Sequence, residues 1–221
     1  MKRYAVISDI HSNHVALMRV LEEIDMEGVD EILCAGDIVG YNSQPNQVID
    51  EFRKRHITSI MGNHDAAAIS PNLGSRMNSL ASEVIRWTQH QLSPDNAHFI
   101  ASLGTSLLLD ELAIYHGSPL DPDEYVYEEQ VDEKLALVSG KDVTVMGHTH
   151  VPFVKRISGA VVINPGSVGQ PRDGDARASF AILRGKAATI TRVHYDIESI
   201  VSANISAGLP LPLSERLRWG V

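Results

Sequence analysis

The sequence has a single cysteine, Cys34, among its 221 residues, and this scarcity excludes a disulfide within one chain. The thiol lies in the apolar run "EILCAG", where cysteine behaves as a small hydrophobic residue. A chain without internal disulfides is compatible with a reducing compartment. We therefore expect a structural role for Cys34 and a cytoplasmic location for the protein.

Long hydrophobic runs are also missing. No stretch approaches the roughly 20 apolar residues that are needed to span a bilayer. The segment "MKRYAVISDI" has two basic residues, but its apolar run stops at Asp9 and is too short for the core of a signal peptide. We therefore expect no membrane partner.

Positive charge is scarce: 19 Lys and Arg stand against 28 Asp and Glu, which gives a formal net charge of -9. A surface that follows the phosphates of a nucleic acid needs clustered Lys and Arg. We expect no extended nucleic-acid binding, and any bound phosphate should meet a local positive charge. The hydrophobic content of 43% is enough for a sizeable core, so residues 1–221 are predicted to form a single domain.

Apolar runs alternate with helical patterns in the first third of the chain. "YAVIS", "EILCAG" and "ITSIM" predict strands, and the segments between them predict helices, one closed by Gly28 and one entered at Pro45. This order is typical of parallel strands covered by helices. Residues 66–103 are predicted to be helical, with Ser93 as N-cap before Pro94, and are the candidate for a small helical cap.

The second half of the chain predicts strands that pair in hairpins. "FVKRISGAVVIN" turns at Gly159, "ASFAILRGKAATITRVHYD" turns at Gly185, and the carboxy-terminal segment is helical. The predicted fold class is α/β, with an α+β mixed sheet that is parallel early in the chain and antiparallel late.

Nearly every apolar run ends in a polar signature: "SDIHSN", "AGDIVG", "MGNHD", "IYHGS" and "MGHTH". Ligand sites in α/β sheets lie beyond the carboxyl ends of the strands, so we expect these signatures to converge. In an extended segment, residues two apart face the same side. Asp9 with His11, and His148 with His150, can thus each present two ligands to one centre.

The polar signatures contain a mixed set of oxygen and nitrogen ligands: Asp9, His11, Asp37, Asn63, His116, His148 and His150. Such a set suits Mn²⁺, our first choice, and also Fe²⁺, Zn²⁺, Ni²⁺ or Co²⁺. It is too large for one ion, and one aspartate can bridge two ions about 3.5 to 4 Å apart. We predict two divalent ions per chain; taken singly, Asp9, Asp37 and Asn63 would also suit helix caps.

The ordered motifs D-x-H, G-D-x-x-G, G-N-H-D, H-G and G-H-T-H, from Asp9 to His150, resemble those of the calcineurin-like metallophosphoesterase superfamily. The later segments "NPGSVGQPRDGDARASFAIL" and "AGLPLPLSERLRWG" resemble its small bacterial and archaeal phosphodiesterase branch. The resemblance implies a four-layer αββα sandwich and metal-dependent phosphoester hydrolysis.

The resemblance also implies a role for each motif residue. Asp9, His11 and His150 would bind one ion, Asn63, His116 and His148 the other, and Asp37 would bridge the two. His64 matches the family's non-ligand histidine, which as an imidazolium would assist the leaving oxygen.

One position departs from the protein phosphatase branch, where an aspartate three residues after the bridging one orients this histidine. Here that position is Gly40, so Asp65 or a backbone carbonyl would have to support His64. Asp65 equally suits the first turn of a helix, where a carboxylate is favourable against the helix dipole.

Arg172, in "GQPRDGD", is the candidate cationic contact for phosphate, because guanidinium matches phosphate oxygens in a bidentate way. The alternative is an ion pair between Arg172 and Asp173 or Asp175. The acidic loop "SPLDPDEYVYEE" after His116 would rim the site and disfavour polyanionic substrates.

The sequence therefore predicts hydrolysis of a small phosphodiester by a hydroxide that bridges two metal ions, with Asn63, His64 and Arg172 contacting the substrate. A phosphomonoesterase and a dinucleoside polyphosphate or nucleotide pyrophosphatase are the alternatives within the enzyme class. A metal-binding scaffold of the same fold is the non-enzymatic alternative, which the completeness of the ligand set disfavours. A homo-oligomer is compatible with the apolar carboxy-terminal segment around Trp219.

Overall fold

The computed structural model describes residues 2–70, 72 and 77–221. In chain order the strands of this part are β1 (Arg3–Ile7), β2 (Glu31–Cys34), β3 (Thr58–Ser59), β4 (Ser106–Leu108), β5 (Leu112–Tyr115), β6 (Val143–Met146), β7 (Phe153–Ile157), β8 (Ala160–Asn164), β9 (Ala178–Arg184) and β10 (Ala187–Val193). The helices are α1 (His14–Glu27), α2 (Pro45–Lys54), α3 (Asn63–Ile69), α4 (Ser79–Gln91), α5 (Pro94–Ala101), α6 (Glu133–Leu137), α7 (Ile197–Ser206) and α8 (Leu211–Leu217).

The first helices form where their caps and apolar faces predict them. The Asn13 side chain accepts a hydrogen bond from the Ala16 amide at 3.0 Å, and α1 ends at Gly28 in the left-handed conformation, with φ of 62°. Glycine adopts this conformation without the penalty that a Cβ would bring. The predicted boundary at Gly28 and the predicted entry of α2 at Pro45 are both confirmed.

The strands form two five-stranded mixed sheets, with spatial orders β10-β9-β1-β2-β3 and β4-β5-β6-β8-β7. The early strands are parallel as predicted, and both late hairpins form. The expectation that the late strands are antiparallel holds for the hairpins but not for β5, β6 and β8, which pair in parallel. The hairpin of β9 and β10 belongs to the first sheet, where β9 also pairs with β1. The hairpin of β7 and β8 belongs to the second sheet, where β8 also pairs with β6.

The two sheets pack face to face and are covered by helices on both outer faces. Val6 and Leu33 of the first sheet share one buried cluster with Ile114, Val145 and Ile163 of the second. Other buried clusters lie between the first sheet and α1 and α2, and between the second sheet and α6. These layers are the αββα sandwich that the resemblance implies.

The segment predicted as a helical cap contains α4 and α5 and part of α3. Ser93 caps α5 as predicted, since its hydroxyl accepts a hydrogen bond from the Asn96 amide at 3.2 Å. The first of these helices begins at Asn63 rather than at residue 66. Residues 71 and 73–76 of this segment lie outside the described residues, and its function as a cap stays a prediction. None of the helices in the described part of the chain has the length and hydrophobicity needed to cross a membrane.

Candidate metal centre

The predicted ligands lie where parallel strands of both sheets end. Asp9 follows β1, Asp37 follows β2, His116 follows β5 and His148 follows β6. Backbone hydrogen bonds connect these loops, such as the one from the Asp9 amide to the Gly36 carbonyl at 3.0 Å. The loops at the carboxyl ends of these strands therefore lie together and carry the predicted ligands.

The loops that carry the ligands have strained backbones. Non-glycine residues seldom adopt a φ between +20° and +160°, and each such residue costs free energy that the surrounding structure must offset. Five of the predicted ligands have φ between 48° and 68°: Asp9, His11, Asp37, His148 and His150. Strain of this kind is concentrated at functional sites. Here it lets side chains point towards one centre, which a regular strand would not allow.

The first group of ligand atoms comes from the side chains of Asp9, His11 and His150. Their ligand atoms lie within 4.8 Å of one another. The Nε2 atoms of His11 and His150 are 3.1 Å apart, and His150 Nε2 is 3.3 Å from Asp9 Oδ1. These are the three residues that the resemblance assigns to one ion.

The second group consists of Asn63, His116 and His148. His116 Nε2 is 3.0 Å from Asn63 Oδ1 and 3.1 Å from His148 Nδ1. Asp37 lies between the two groups, with its Oδ2 atom 3.3 Å from His116 Nε2 and 3.6 Å from His11 Nε2. A single carboxylate oxygen thus faces both groups.

Each of the four histidines directs its other ring nitrogen to a backbone carbonyl. The Nδ1 atoms of His11, His116 and His150 lie 3.1, 2.9 and 2.6 Å from the carbonyl oxygens of Val39, Ala35 and Gln170. In His148 the Nε2 atom takes this role, 3.2 Å from the Asp123 carbonyl. When these nitrogens donate and the rings are neutral, as metal ligands must be, the opposite nitrogens are unprotonated and face the centre, which is how proteins orient histidine ligands.

The charges of the centre shift one another's pKa values. Burial alone would lower the pKa of His116, but the adjacent Asp37 carboxylate outweighs it and raises the pKa to about 10. Burial, together with the charge on His116, lowers the pKa of His148 to about 4. For Asp9, burial would raise the pKa, yet His150 and His116 outweigh it and hold the pKa well below its usual value. The carboxylates are therefore ionised and depend on positive charge inside the centre.

The residues present fit divalent ions. Asp9 Oδ1 is buried without a hydrogen-bond partner in the described part of the chain, and a buried carboxylate oxygen is costly unless it is paired or binds a metal. That oxygen faces the Nε2 atoms of His11 and His150. Oxygen and imidazole ligands in two groups that share Asp37 suit Mn²⁺ and its neighbours among the divalent metals.

His64 lies beside the groups, and its backbone amide donates a hydrogen bond to Asp37 Oδ1 at 2.9 Å. Its ligand atom also lies within 4.8 Å of those of His11 and Asp37, so distance alone does not separate a ligand from a proton donor. Burial lowers the pKa of His64 to about 4. Burial favours the neutral ring, which still has one N–H to donate, and the imidazolium role that the resemblance implies stays a prediction.

Asp65 does not support His64, contrary to one of the two expectations for it. Its carboxylate oxygens accept hydrogen bonds from the Val39 and Gly62 amides, both at 3.0 Å. Asp65 thus lies in the first turn of α3 and caps it, which was the other expectation. A Cβ at Gly40 would lie 2.5 Å from His64 Nδ1, so an aspartate does not fit there. His64 Nδ1 is buried and has no hydrogen-bond partner among the described residues.

Arg172 lies at the edge of the first group. Its Nη2 atom donates to the Tyr41 hydroxyl at 3.2 Å, and its guanidinium carbon is 5.5 Å from the centre of the Tyr41 ring. The ion pair predicted as an alternative is absent from the described residues, because Asp173 pairs with Arg192 and Asp175 with Arg177. The Nε atom of Arg172 is buried without an acceptor there.

A cavity of about 500 Å³ opens beside the second group. Asn63, His64, His116 and His148 line it together with residues of the acidic loop, which therefore rims the site as predicted. This volume lies in the range that small-molecule sites occupy.

The sequence did not reveal two aromatic residues that lie in contact with the centre. The Tyr41 ring centre is 4.5 Å from that of His64, and the Tyr125 ring centre is 4.0 Å from that of His148. Tyr41 directly follows the G-D-x-x-G motif, which could have drawn attention to it. Nothing in the acidic loop distinguishes Tyr125 from its neighbour Tyr127.

Comparison with known proteins agrees with this fold. Residues 2–187 match the family model of the calcineurin-like phosphoesterase superfamily domain. An uncharacterised protein of Methanocaldococcus jannaschii is 35% identical, over 98% of this chain and 97% of that protein. Phosphodiesterase YfcE of Escherichia coli is 24% identical, over 83% of this chain and 88% of its own. The crystal structure of a metallophosphoesterase from Sphaerobacter thermophilus superimposes with a TM-score of 0.83 at 34% identity, covering 100% of this chain and 99% of that one.

The chain belongs to the calcineurin-like phosphoesterase superfamily, a family of metal-dependent hydrolases. Its two mixed sheets and covering helices are the metallophosphoesterase fold. The predicted family and the predicted αββα fold class are thereby confirmed.

Proposed function

We propose that the chain hydrolyses small phosphodiesters with the help of two divalent ions, Mn²⁺ in the first place. The observation that carries this proposal is the position of Asp37, whose Oδ2 atom faces both groups of ligand atoms at 3.3 and 3.6 Å. When bound, two such ions lower the pKa of a water molecule and neutralise charge on the phosphoryl oxygens. A relative named as a phosphodiesterase supports the choice of diesters.

Six side chains around the centre would serve as ligands of one ion or the other. Asp9, His11 and His150 would hold one ion, and Asn63, His116 and His148 the other, as in the predicted assignment. Asn63 contributes a neutral amide oxygen, so it adds no negative charge where an anionic phosphate must bind.

His64 and Arg172 would act on the substrate itself. The link from the His64 amide to Asp37 ties the imidazole to the centre, where its N–H can reach the leaving oxygen. Arg172, with no carboxylate partner among the described residues, is the cation that can contact a phosphoryl oxygen.

A panel of substrates tests this function. Protein stripped of metal and reloaded with Mn²⁺ should hydrolyse bis(p-nitrophenyl) phosphate faster than p-nitrophenyl phosphate, and stripped protein should hydrolyse neither. Faster hydrolysis of the monoester would instead support a phosphomonoesterase, and faster hydrolysis of a dinucleoside polyphosphate would support a pyrophosphatase. No hydrolysis of any of these with any of the five metals would favour the scaffold.

Location and assembly also stay proposals. We propose a cytoplasmic protein without nucleic-acid or membrane partners, in keeping with its net charge of -9. Trp219 is 68% exposed in the apolar carboxy-terminal segment, which is compatible with a homo-oligomer.

A further inference from the structure

The cavity beside the second group of ligand atoms is lined by two kinds of side chain. The lining includes the polar residues Asn63, His64, His116 and His148. It also includes apolar and aromatic side chains, namely Tyr41, Met61, Met77, Ala81, Pro122 and Tyr125. A site that only had to bind a phosphate would not need this apolar lining, because phosphate offers no apolar surface.

Among the apolar and aromatic lining residues, Tyr125 contacts the predicted ligand His148. Its ring centre lies 4.0 Å from that of His148, with 35° between the ring planes. The residue is nevertheless 47% exposed. The tyrosine therefore contacts His148 on one side and leaves aromatic surface free at the cavity.

The loop around Tyr125 is tied to the centre. The Asp123 carbonyl lies 3.2 Å from His148 Nε2, and the Asp123 amide donates to Asp121 Oδ1 at 2.9 Å. Ser118, at the start of the loop, accepts hydrogen bonds from the Leu120 and Asp121 amides at 3.1 and 3.0 Å. These contacts fix the position of Tyr125 relative to a phosphate bound at the centre.

We propose that this cavity binds a flat, uncharged aromatic substituent of the phosphoester, an aryl group or a nucleobase, and that Tyr125 is its stacking platform and a specificity-determining residue. The inference rests on the proposed function, since the phosphate must lie at the metal centre for its substituent to reach the cavity. Aromatic rings stack on tyrosine with little regard to their substituents. The carboxylate of Asp123 in the lining opposes an anionic substituent.

Two phosphonates that differ only in their substituent provide the test. At a pH high enough for both to be dianions, phenylphosphonate and methylphosphonate present the same anionic group, and neither contains an ester bond. Their Kd values for the Mn²⁺-loaded protein can be measured by isothermal titration calorimetry. Wild-type protein should bind phenylphosphonate about fivefold to 100-fold more tightly than methylphosphonate, the range that stacking on an aromatic side chain supports. The ratio should fall towards one in Tyr125→Ala and persist in Tyr125→Phe.

Tyr127→Ala is the matched control, because Tyr127 lies in the same loop, is 36% exposed and is not among the lining residues. It should keep the wild-type ratio. Methylphosphonate reports whether each variant still binds the anionic group at the centre. Equal affinity of wild-type protein for the two phosphonates, or an unchanged ratio in Tyr125→Ala, would overturn the inference alone. Failure of wild-type protein to bind either phosphonate would overturn the inference, and the substrate panel given above would then decide whether the proposed function fails with it.

Discussion

The Asp37 carboxylate contacts both groups of ligand atoms and also His64. One of its oxygens faces His11 and His116, and the other accepts the His64 amide at 2.9 Å. The residue types of the motifs predict that these side chains lie close together. Aspartate, asparagine and histidine that follow so many strands of one chain have few common roles other than binding a ligand. The carbonyl groups that orient the histidines could not be predicted, since every residue has one and only the fold selects which lie in reach.

His64→Ala should reduce turnover of the diester by about 100-fold to 10,000-fold, the usual contribution of a positioned acid or base. The variant should retain its metal, because the two groups of ligand atoms are complete without His64. Turnover of bis(p-nitrophenyl) phosphate and metal content should be measured on the same sample. His194→Ala, which removes an exposed histidine, should match wild-type protein. If His64→Ala lost metal in proportion to its loss of turnover, His64 would be a metal ligand and not a proton donor.

Gly62→Ala should disrupt the centre although it removes no ligand. A Cβ at Gly62 would lie 2.1 Å from Asp37 Oδ1, so Asp37 would have to move away from His11 and His116. We expect metal affinity to fall by more than about tenfold, as it does when the support of a ligand is lost. Gly104→Ala is the control, because its added Cβ would meet its nearest atom at 3.5 Å. Unchanged Mn²⁺ affinity of Gly62→Ala in a competition titration would contradict this role of Gly62.

At the scale of helices and strands, local sequence signals predicted several helix boundaries but did not predict which strands pair with each other. Gly28, Pro45 and Ser93 mark helix ends through interactions within a few residues, and all three predictions were confirmed. Strand pairing joins segments that are far apart in sequence. The insertion of β8 next to β6 depends on how the sheet packs, and no local pattern encodes it.

Gly28→Ala should destabilise the protein by about 1 to 2 kcal/mol, because an alanine in the left-handed conformation brings its Cβ close to the following carbonyl. The space around Gly28 is open, with no atom within 4 Å of an added Cβ, so the cost is conformational and not steric. Gly28→Asn should lose less, since asparagine tolerates this conformation. Urea unfolding with a metal chelator present measures both variants. An equal loss in the two would contradict the explanation.

The whole molecule is held together by the contact between its sheets, which also places the strand ends of both at one centre. Val145 and Ile163 of the second sheet are fully buried against the first. His116 and His148 come from the second sheet, whereas Asp9 and Asp37 come from the first. The sandwich itself was predictable only from the family resemblance, because alternating apolar runs do not show how strands divide between two sheets.

Ile163→Ala should lower the free energy of unfolding by about 2 to 5 kcal/mol, because it leaves a cavity between the sheets. Ile205→Ala removes the same atoms from a side chain that is 53% exposed and should cost less than about 0.5 kcal/mol. Both values follow from urea unfolding of metal-free protein. Similar losses in the two variants would show that the contact between the sheets contributes little to stability.

The number of metal ions per chain tests the dinuclear centre most directly. Chelator-stripped protein is reloaded with Mn²⁺, freed of excess metal, and analysed for metal and protein content by mass spectrometry and amino-acid analysis. We expect two ions per wild-type chain and fewer in Asp37→Asn, which should also lose hydrolysis of bis(p-nitrophenyl) phosphate. One ion or none per active wild-type chain, or full hydrolysis by the stripped protein, would contradict this expectation.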